Sequence, residues 1–220
     1  MELAGIVLAF LFIFTVIGAA QLLVRRQAVS PGVARKIIHI SVAHWWLIAM
    51  AFHEIVWTAL VGPVAFIILN YLSYRRRLVT AMDTEDTEGN LGTVYFPISL
   101  LVLVALSFGG PMPVYVGAIG ILVMGYGDGL ASLFGSHFGR PHKTVFHSHK
   151  SLVGSVTMGV ASSLVTLAVA SVAPEFSGSI ILAALSTGVV AMTIEYLTPF
   201  GLDNLTVPIL TSLFFYGVFA

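Results

Sequence analysis

The sequence predicts an all-α, polytopic integral membrane protein of seven or eight transmembrane helices. Three observations carry this. Hydrophobic residues fill 58% of the 220 positions and charged residues only 9%, against about 25% charged in a soluble domain. The mean hydropathy is +0.99. The apolar residues also gather into runs of membrane-spanning length, parted by short polar or Pro/Gly-containing stretches.

Taken in order, the runs are Leu3–Val24, Ile37–Phe52, Ile55–Tyr74, Leu91–Phe108, Val114–Phe138, Leu152–Val172, Ile180–Ile194 and Leu205–Phe219. A span needs about 20 residues, with a usual range of about 17–25. The second, seventh and eighth are short, so they are tilted, extended by flanking polar residues, or partly re-entrant. The first has no basic segment before it, only Glu2. It is read as a retained helix, although Gly18-Ala19-Ala20 has the small residues of a cleavage site. Residues 1–220 read as a single transmembrane catalytic domain, with no internal repeat and no soluble domain.

The basic residues orient the chain. Arg25, Arg26, Arg35 and Lys36 lie between the first and second runs or at the start of the second. Arg75, Arg76 and Arg77 follow the third, and Arg140, Lys143 and Lys150 lie between the fifth and sixth. An alternating path puts all of them on one side, which the positive-inside rule makes cytoplasmic. The N-terminus is then outside. Net charge is zero, which gives no reason to expect a nucleic-acid partner, and the absence of cysteine excludes disulfides and thiolate metal sites. Trp45, Trp46 and Trp57 read as interfacial or lipid-facing aromatics.

Polar clusters concentrate on the basic side. Asp128 sits in Gly125-Tyr126-Gly127-Asp128-Gly129, inside an apolar run. An acid at the centre of a membrane helix costs about 2.5–3.5 kcal/mol on insertion scales, so something must compensate it. A bound cation is the simplest candidate, and a cation near Lys150 suggests a phosphate ligand. The alternating glycines weaken the helix and free backbone groups. Irregular backbone of this kind must be buried in protein or line a wet cavity. Lys150-Ser151-Leu152-Val153-Gly154-Ser155 opens the sixth run. Ser151 is placed to cap that helix, whose free N–H groups suit an anion. No P-loop surrounds this Lys-Ser pair. Ser155, Gly159 and Ser163 form a small-residue face suited to helix packing.

Arg35, Lys36 and His39 can share a helix face. Glu195 to Asn204 brings Glu195, Asp203 and Asn204 around a Pro/Gly-broken loop. Such oxygen donors suit Mg²⁺, which takes one or two carboxylates plus substrate phosphates. Four acids between Asp83 and Glu88 read as a solvated loop, with Glu88 and Leu91-Gly92-Thr93 the better site candidates. His142, His147 and His149 resemble a metal cluster, but no second ligand set supports zinc.

Five of these pieces, in this order, resemble the CTP-dependent lipid-alcohol kinases. That family includes dolichol kinase, phytol kinase and the yeast-type diacylglycerol kinase, and it is related to the phosphatidate cytidylyltransferases. The pieces are RKIIH at 35–39, LGTVYFPIS at 91–99, GDGLASLFGSHFG at 127–139, KSLVGS at 150–155, and Glu195 with LDNLTVP at 202–208. The His-rich loop before Lys150 departs from the pattern, and the chain has only the core length of phytol-kinase-like members. The resemblance implies a CTP-dependent kinase acting at the cytoplasmic face on a membrane-embedded isoprenoid alcohol of the polyprenol, dolichol or phytol type. It implies Asp128 and Lys150 as catalytic, with His39 or a carboxylate taking the alcohol proton. Mg²⁺ would bind Asp128, helped by Glu195 or Asp203. Arg35, Lys36, Gly127, Gly129, Lys150, Ser151, Gly154, Ser155 and Asn204 would serve the nucleotide and its phosphates. A CTP:lipid-phosphate cytidylyltransferase and a CTP-dependent diacylglycerol kinase are the nearest alternatives, and a secondary transporter a more distant one.

Overall fold

In the computed structural model, the described residues are 1–76, 91–139, 143–145, 148–199 and 201–220; side chains at 143–145, 148 and 149 lie outside the description. Asp83, Glu85, Asp86 and Glu88, together with His142 and His147, therefore fall outside it.

The helices follow the apolar runs. The first is α1 (Glu2–Arg25). The second run forms two helices, α2 (Pro31–Ala43) and α3 (Trp45–Phe52), broken at His44. Ser30 caps α2, its Oγ accepting from Val33 N at 3.3 Å, and Pro31 at the first position starts the turn. The short second run is thus lengthened by its polar flank. Next come α4 (Val56–Arg76) and α5 (Gly92–Phe108), joined where Asn70 Nδ2 donates to Thr93 O at 2.7 Å. The fifth run is one continuous rod of three parts: α6 (Val114–Leu122), a π-helical segment (Val123–Asp128) and α7 (Gly129–Phe138). A two-stranded antiparallel hairpin, β1 (Lys143–Val145) and β2 (Ser148–Lys150), leads to α8 (Leu152–Val172). The chain closes with α9 (Ile180–Leu197) and α10 (Asp203–Phe219).

Among the described residues, five helical stretches are long and apolar enough to cross a membrane: α1, α4, the α6–α7 rod, α8 and α9; α5 is a shorter apolar helix. The fold is therefore an all-α, multi-pass membrane bundle. The rod is its axis. It is 72% buried over its apolar window, against 22–33% for the other four. Large apolar side chains point outward from the surrounding helices, including Leu11, Ile68, Leu164 and Ile181, as a lipid solvent requires.

Two tryptophans correct the sequence reading. Trp57 is 76% exposed, but Trp45 and Trp46 are 1% and 0% exposed. Glycine makes the room. A Cβ on Gly62 would stand 2.9 Å from Trp45 Nε1, and one on Gly117 would stand 2.5 Å from Trp46 Cη2. Trp46 Nε1 also donates to Val114 O at 3.0 Å, so its polar edge is satisfied inside the core.

The two ends of the bundle differ. At one end Glu2 accepts hydrogen bonds from Thr58 Oγ1 and Glu54 N, and its carboxylate lies 2.9 Å from His53 Nδ1. At the other end lie Lys36, Asp128, Lys150, Glu195 and Asp203.

Candidate active site

The π-helical segment brings Asp128 to the site. Three small positions let the rod approach its neighbours closely. Gly125 packs on Ala43, Gly129 on Ile40, and Gly127 on Met158 and Ser162. A π turn leaves backbone groups poorly paired and often marks a functional site. Here it also sets the direction in which Asp128 points.

Asp128 meets α2. Lys36 Nζ donates to Asp128 Oδ2 at 2.7 Å, and His39 Nε2 lies 3.7 Å from the same oxygen. The two ends of the ion pair are 14% and 15% exposed. The sequence expected the intramembrane acid to be offset by a bound cation; the structure supplies a lysine ammonium from 92 residues away. Arg35, on the same helix, forms no ion pair with a described residue.

A second cluster lies opposite. Lys150, at the end of the hairpin, bonds to Glu195 Oε1 and lies 3.4 Å from Asp203 Oδ2. Burial alone would lower the Lys150 pKa, but Asp203 and Glu195 outweigh it and hold the ammonium above its ordinary range. Glu195 Oε2 is buried with no hydrogen-bond partner among the described residues. Asn204 serves Asp203: its backbone N and Nδ2 bond to Asp203 Oδ1 at 3.0 and 3.1 Å.

Between the clusters is a cavity of about 300 Å³. Lys36 and Asp128 line one wall, Lys150 and Glu195 another. The rest comes from the small face of α7, which presents Ala131, Ser132, Gly135 and Ser136, and from the start of α8, which presents Ser151, Gly154 and Ser155. Ser151 caps α8, its Oγ accepting from Gly154 N at 3.0 Å. Ser155 Oγ, on the next turn, is buried and without a described partner. A polar side chain in that state at a helix N-terminus is poised for a ligand oxygen.

The structure therefore assembles Asp128, Lys36, Lys150, Ser151, Gly154, Ser155 and Glu195 around one space. Asp203 joins through Lys150, and His39 stands just behind Asp128. Gly127 and Gly129 do not line the cavity; they are packing positions against Met158 and Ile40. Arg35 and Asn204 do not line it either. From sequence this stretch enters only as the piece GDGLASLFGSHFG, with none of Ala131, Ser132, Gly135 and Ser136 named as a site residue. The signal of the α7 face was present, since 128, 131/132 and 135/136 recur at helical spacing as small or polar residues. Among the described residues, no group of three or more His, Asp or Glu side chains is placed to hold a metal by itself.

Fold and site together define a multi-pass membrane protein with a charged cavity at one end of its bundle. No family model and no solved structure matches the chain. Curated proteins do. The chain is 34% identical over 207 residues to a phytol kinase of Synechocystis sp., covering 94% of this chain and 88% of that one. It is 27% identical over 168 residues to a probable chloroplastic phytol kinase of Glycine max, and 28% identical over 164 residues to one of Oryza sativa. It spans only about half the length of those plant proteins: 53% and 51%. The chain belongs to the phytol kinase family, and it is a kinase with an alcohol acceptor.

Proposed function

We propose that this enzyme phosphorylates a long-chain isoprenoid alcohol held in the bilayer, with CTP as donor and Mg²⁺ as its ion. One observation carries the reading. Two lysine–carboxylate clusters, from elements far apart in sequence, face one cavity at the end of the bundle where the basic connections lie. The positive-inside rule makes that end cytoplasmic and places the N-terminus outside. A nucleotide then enters from the aqueous side, and the alcohol arrives laterally from the lipid.

Phosphoryl transfer needs in-line placement and charge neutralisation. Lys36 and Lys150 would hold phosphate oxygens. The Ser151 and Ser155 hydroxyls and the free N–H groups of α8 would donate to the remaining ones. Asp128 and Glu195 would hold Mg²⁺, which neutralises charge on the transferring group. The alcohol oxygen attacks the γ-phosphorus, the bond to the β-phosphate oxygen breaks, and CDP leaves. His39, or a carboxylate that the ion does not use, would take the hydroxyl proton. His39 does not line the cavity itself and lies 3.7 Å from Asp128 Oδ2.

The test uses purified enzyme in vesicles with phytol, a polyprenol and diacylglycerol as acceptors. Label from γ-labelled CTP should enter the isoprenoid alcohol. Entry of α-label into a lipid phosphate would mean cytidylyl transfer instead. Equal or faster turnover with ATP would remove the donor assignment.

A further inference from the structure

Polar ties close the seam between α2 and the rod at both ends. Gly129 packs on Ile40, and Gly125, one turn back, packs on Ala43. The later rod residue meets the earlier α2 residue, so the two elements run antiparallel. Lys36 and Asp128 meet at the cavity end. At the other end His44, the residue where α2 breaks from α3, meets Tyr126 of the π-helical segment. Tyr126 stands only two residues before Asp128.

The His44 ring is bonded at both nitrogens. Nδ1 lies 3.0 Å from Ile40 O and 3.3 Å from Ser41 O, in the last turn of α2, where intrahelical donors run out. A carbonyl only accepts, so Nδ1 carries the proton. Nε2 of the neutral ring is then an acceptor, and the Tyr126 hydroxyl donates to it at 2.9 Å. The two rings meet edge-on, with centroids 5.4 Å apart and planes at 70°.

The two ties differ in stiffness. A lysine ammonium on its flexible stem follows a carboxylate through many rotamers. The Lys36–Asp128 pair alone therefore tolerates several placements of Asp128. The π segment does not fix its own phase either. Gly125 and Gly127 leave its backbone permissive, and π turns are short interruptions of an α ladder. Tyrosine is a rigid side chain with few rotatable bonds, and its partner ring is held by the backbone of α2. The His44–Tyr126 bond thus fixes both the distance and the rotation of the segment against α2.

We infer that His44 and Tyr126 are positioning residues, whose hydrogen bond locks the phase of the π-helical segment so that Asp128 meets Lys36 at the cavity wall. Their effect on turnover rests on the phosphoryl-transfer role proposed for Asp128; the placement of Asp128 does not.

A melting-temperature cycle tests the placement without any activity readout. Lys36→Met, Asp128→Asn and their double variant give the coupling of that pair, as the amount by which the double loss falls short of the summed single losses. The cycle is then repeated in Tyr126→Phe, which removes one hydroxyl and keeps the ring. The coupling should shrink at least about twofold. A bond that only adds stability would lower all four melting temperatures alike and leave the coupling intact, and that result would overturn the proposal. So would a coupling absent from the chain with Tyr126 in place. His44→Gln offers an amide oxygen where Nε2 stood and should keep the coupling, whereas His44→Leu should lose it. Turnover is read separately: Tyr126→Phe should lower kcat for γ-label transfer about tenfold and change the KM for CTP less than about twofold. An unchanged kcat beside a lost coupling would overturn the part of the two residues in the reaction. Absence of γ-label transfer by the wild-type enzyme would sink the donor reading instead, and the melting cycle would still decide the placement.

Discussion

Replacing Lys36 with Met removes the ammonium that stands 2.7 Å from Asp128 Oδ2 and keeps most of the apolar stem. Both partners are about one-seventh exposed, at 14% and 15%, so solvent screens them only in part. At an effective dielectric of about 20, Coulomb's law gives roughly 6 kcal/mol as an upper bound for this separation. Measured losses from removing one partner of a buried pair are about 3–5 kcal/mol. This pair borders an open cavity whose water screens it further, so the loss falls at or below the bottom of that range, about 2–3 kcal/mol. For a chain of this size that is a fall of about 5–10 °C in melting temperature. Asp128→Asn is the complementary change. Sequence alone suggests that it relieves a buried charge and leaves folding intact. The pair reverses that expectation, because Asn leaves the Lys36 ammonium facing a neutral amide. The loss should be smaller than for Lys36→Met, since a lysine can turn its head toward the cavity water. Turnover should drop at least about a hundredfold in Asp128→Asn, roughly 2.7 kcal/mol in the barrier. The double variant should recover part of the stability and none of the turnover. The assay is apparent melting temperature at fixed scan rate in one detergent, beside γ-label transfer across a Mg²⁺ titration. Strictly additive stability losses would refute the coupling. Near-wild-type turnover in Asp128→Asn would refute its place in the chemistry.

Three further outcomes can be checked. Ser151→Ala should cost about 1 kcal/mol through the lost cap and raise the KM for CTP more than it lowers kcat, seen in melting and steady-state assays. Gly117→Ala should destabilise by about 1–3 kcal/mol, because the added Cβ would stand 2.5 Å from Trp46 Cη2 and 2.7 Å from Ser107 Oγ; an unchanged melting temperature would contradict the Trp46 slot. The chain has no cysteine, so Lys143→Cys and Pro111→Cys report topology directly. An impermeant maleimide on intact cells should label position 111 and spare position 143, and the reverse would invert the bundle.

The spans were legible because hydropathy integrates over many residues. All eight apolar runs reappear as helix, the second in two pieces and the fifth as a three-part rod, and five of the described stretches are long and apolar enough to cross a membrane. Asp128, Lys150 and Ser151 stood out for a related reason: a charge or a cap is conspicuous against an apolar background. What the sequence could not give were pairings set by how helices pack. The partner of Asp128 is a lysine 92 residues away, which no local pattern specifies. Trp45 and Trp46 resembled interfacial aromatics because the slots that bury them are made by Gly62 and Gly117, on other helices. Gly127 and Gly129 looked like ligand-facing backbone, yet their missing side chains admit Met158 and Ile40. The π segment was hinted at by the alternating glycines, but its register was not readable.

That segment also bears on how the gene tolerates changes of length. An α-helix turns about 100° per residue, and a π bulge inserts extra backbone without cutting the rod. The six residues Val123–Asp128 therefore act as a phase adjuster between α6 and α7. Loss of one residue there would remove the bulge and leave α6 and α7 nearly in phase; the same six residues closed as ordinary α-helix would instead rotate α7 by about 100° relative to α6. Asp128 and the small face below it would swing away from Lys36 together. Length and hydropathy would scarcely change, so the chain would still enter the bilayer and pass as normal by abundance. A variant of unchanged length whose segment closes as α-helix would thus be an inserted protein whose two charged clusters no longer face each other.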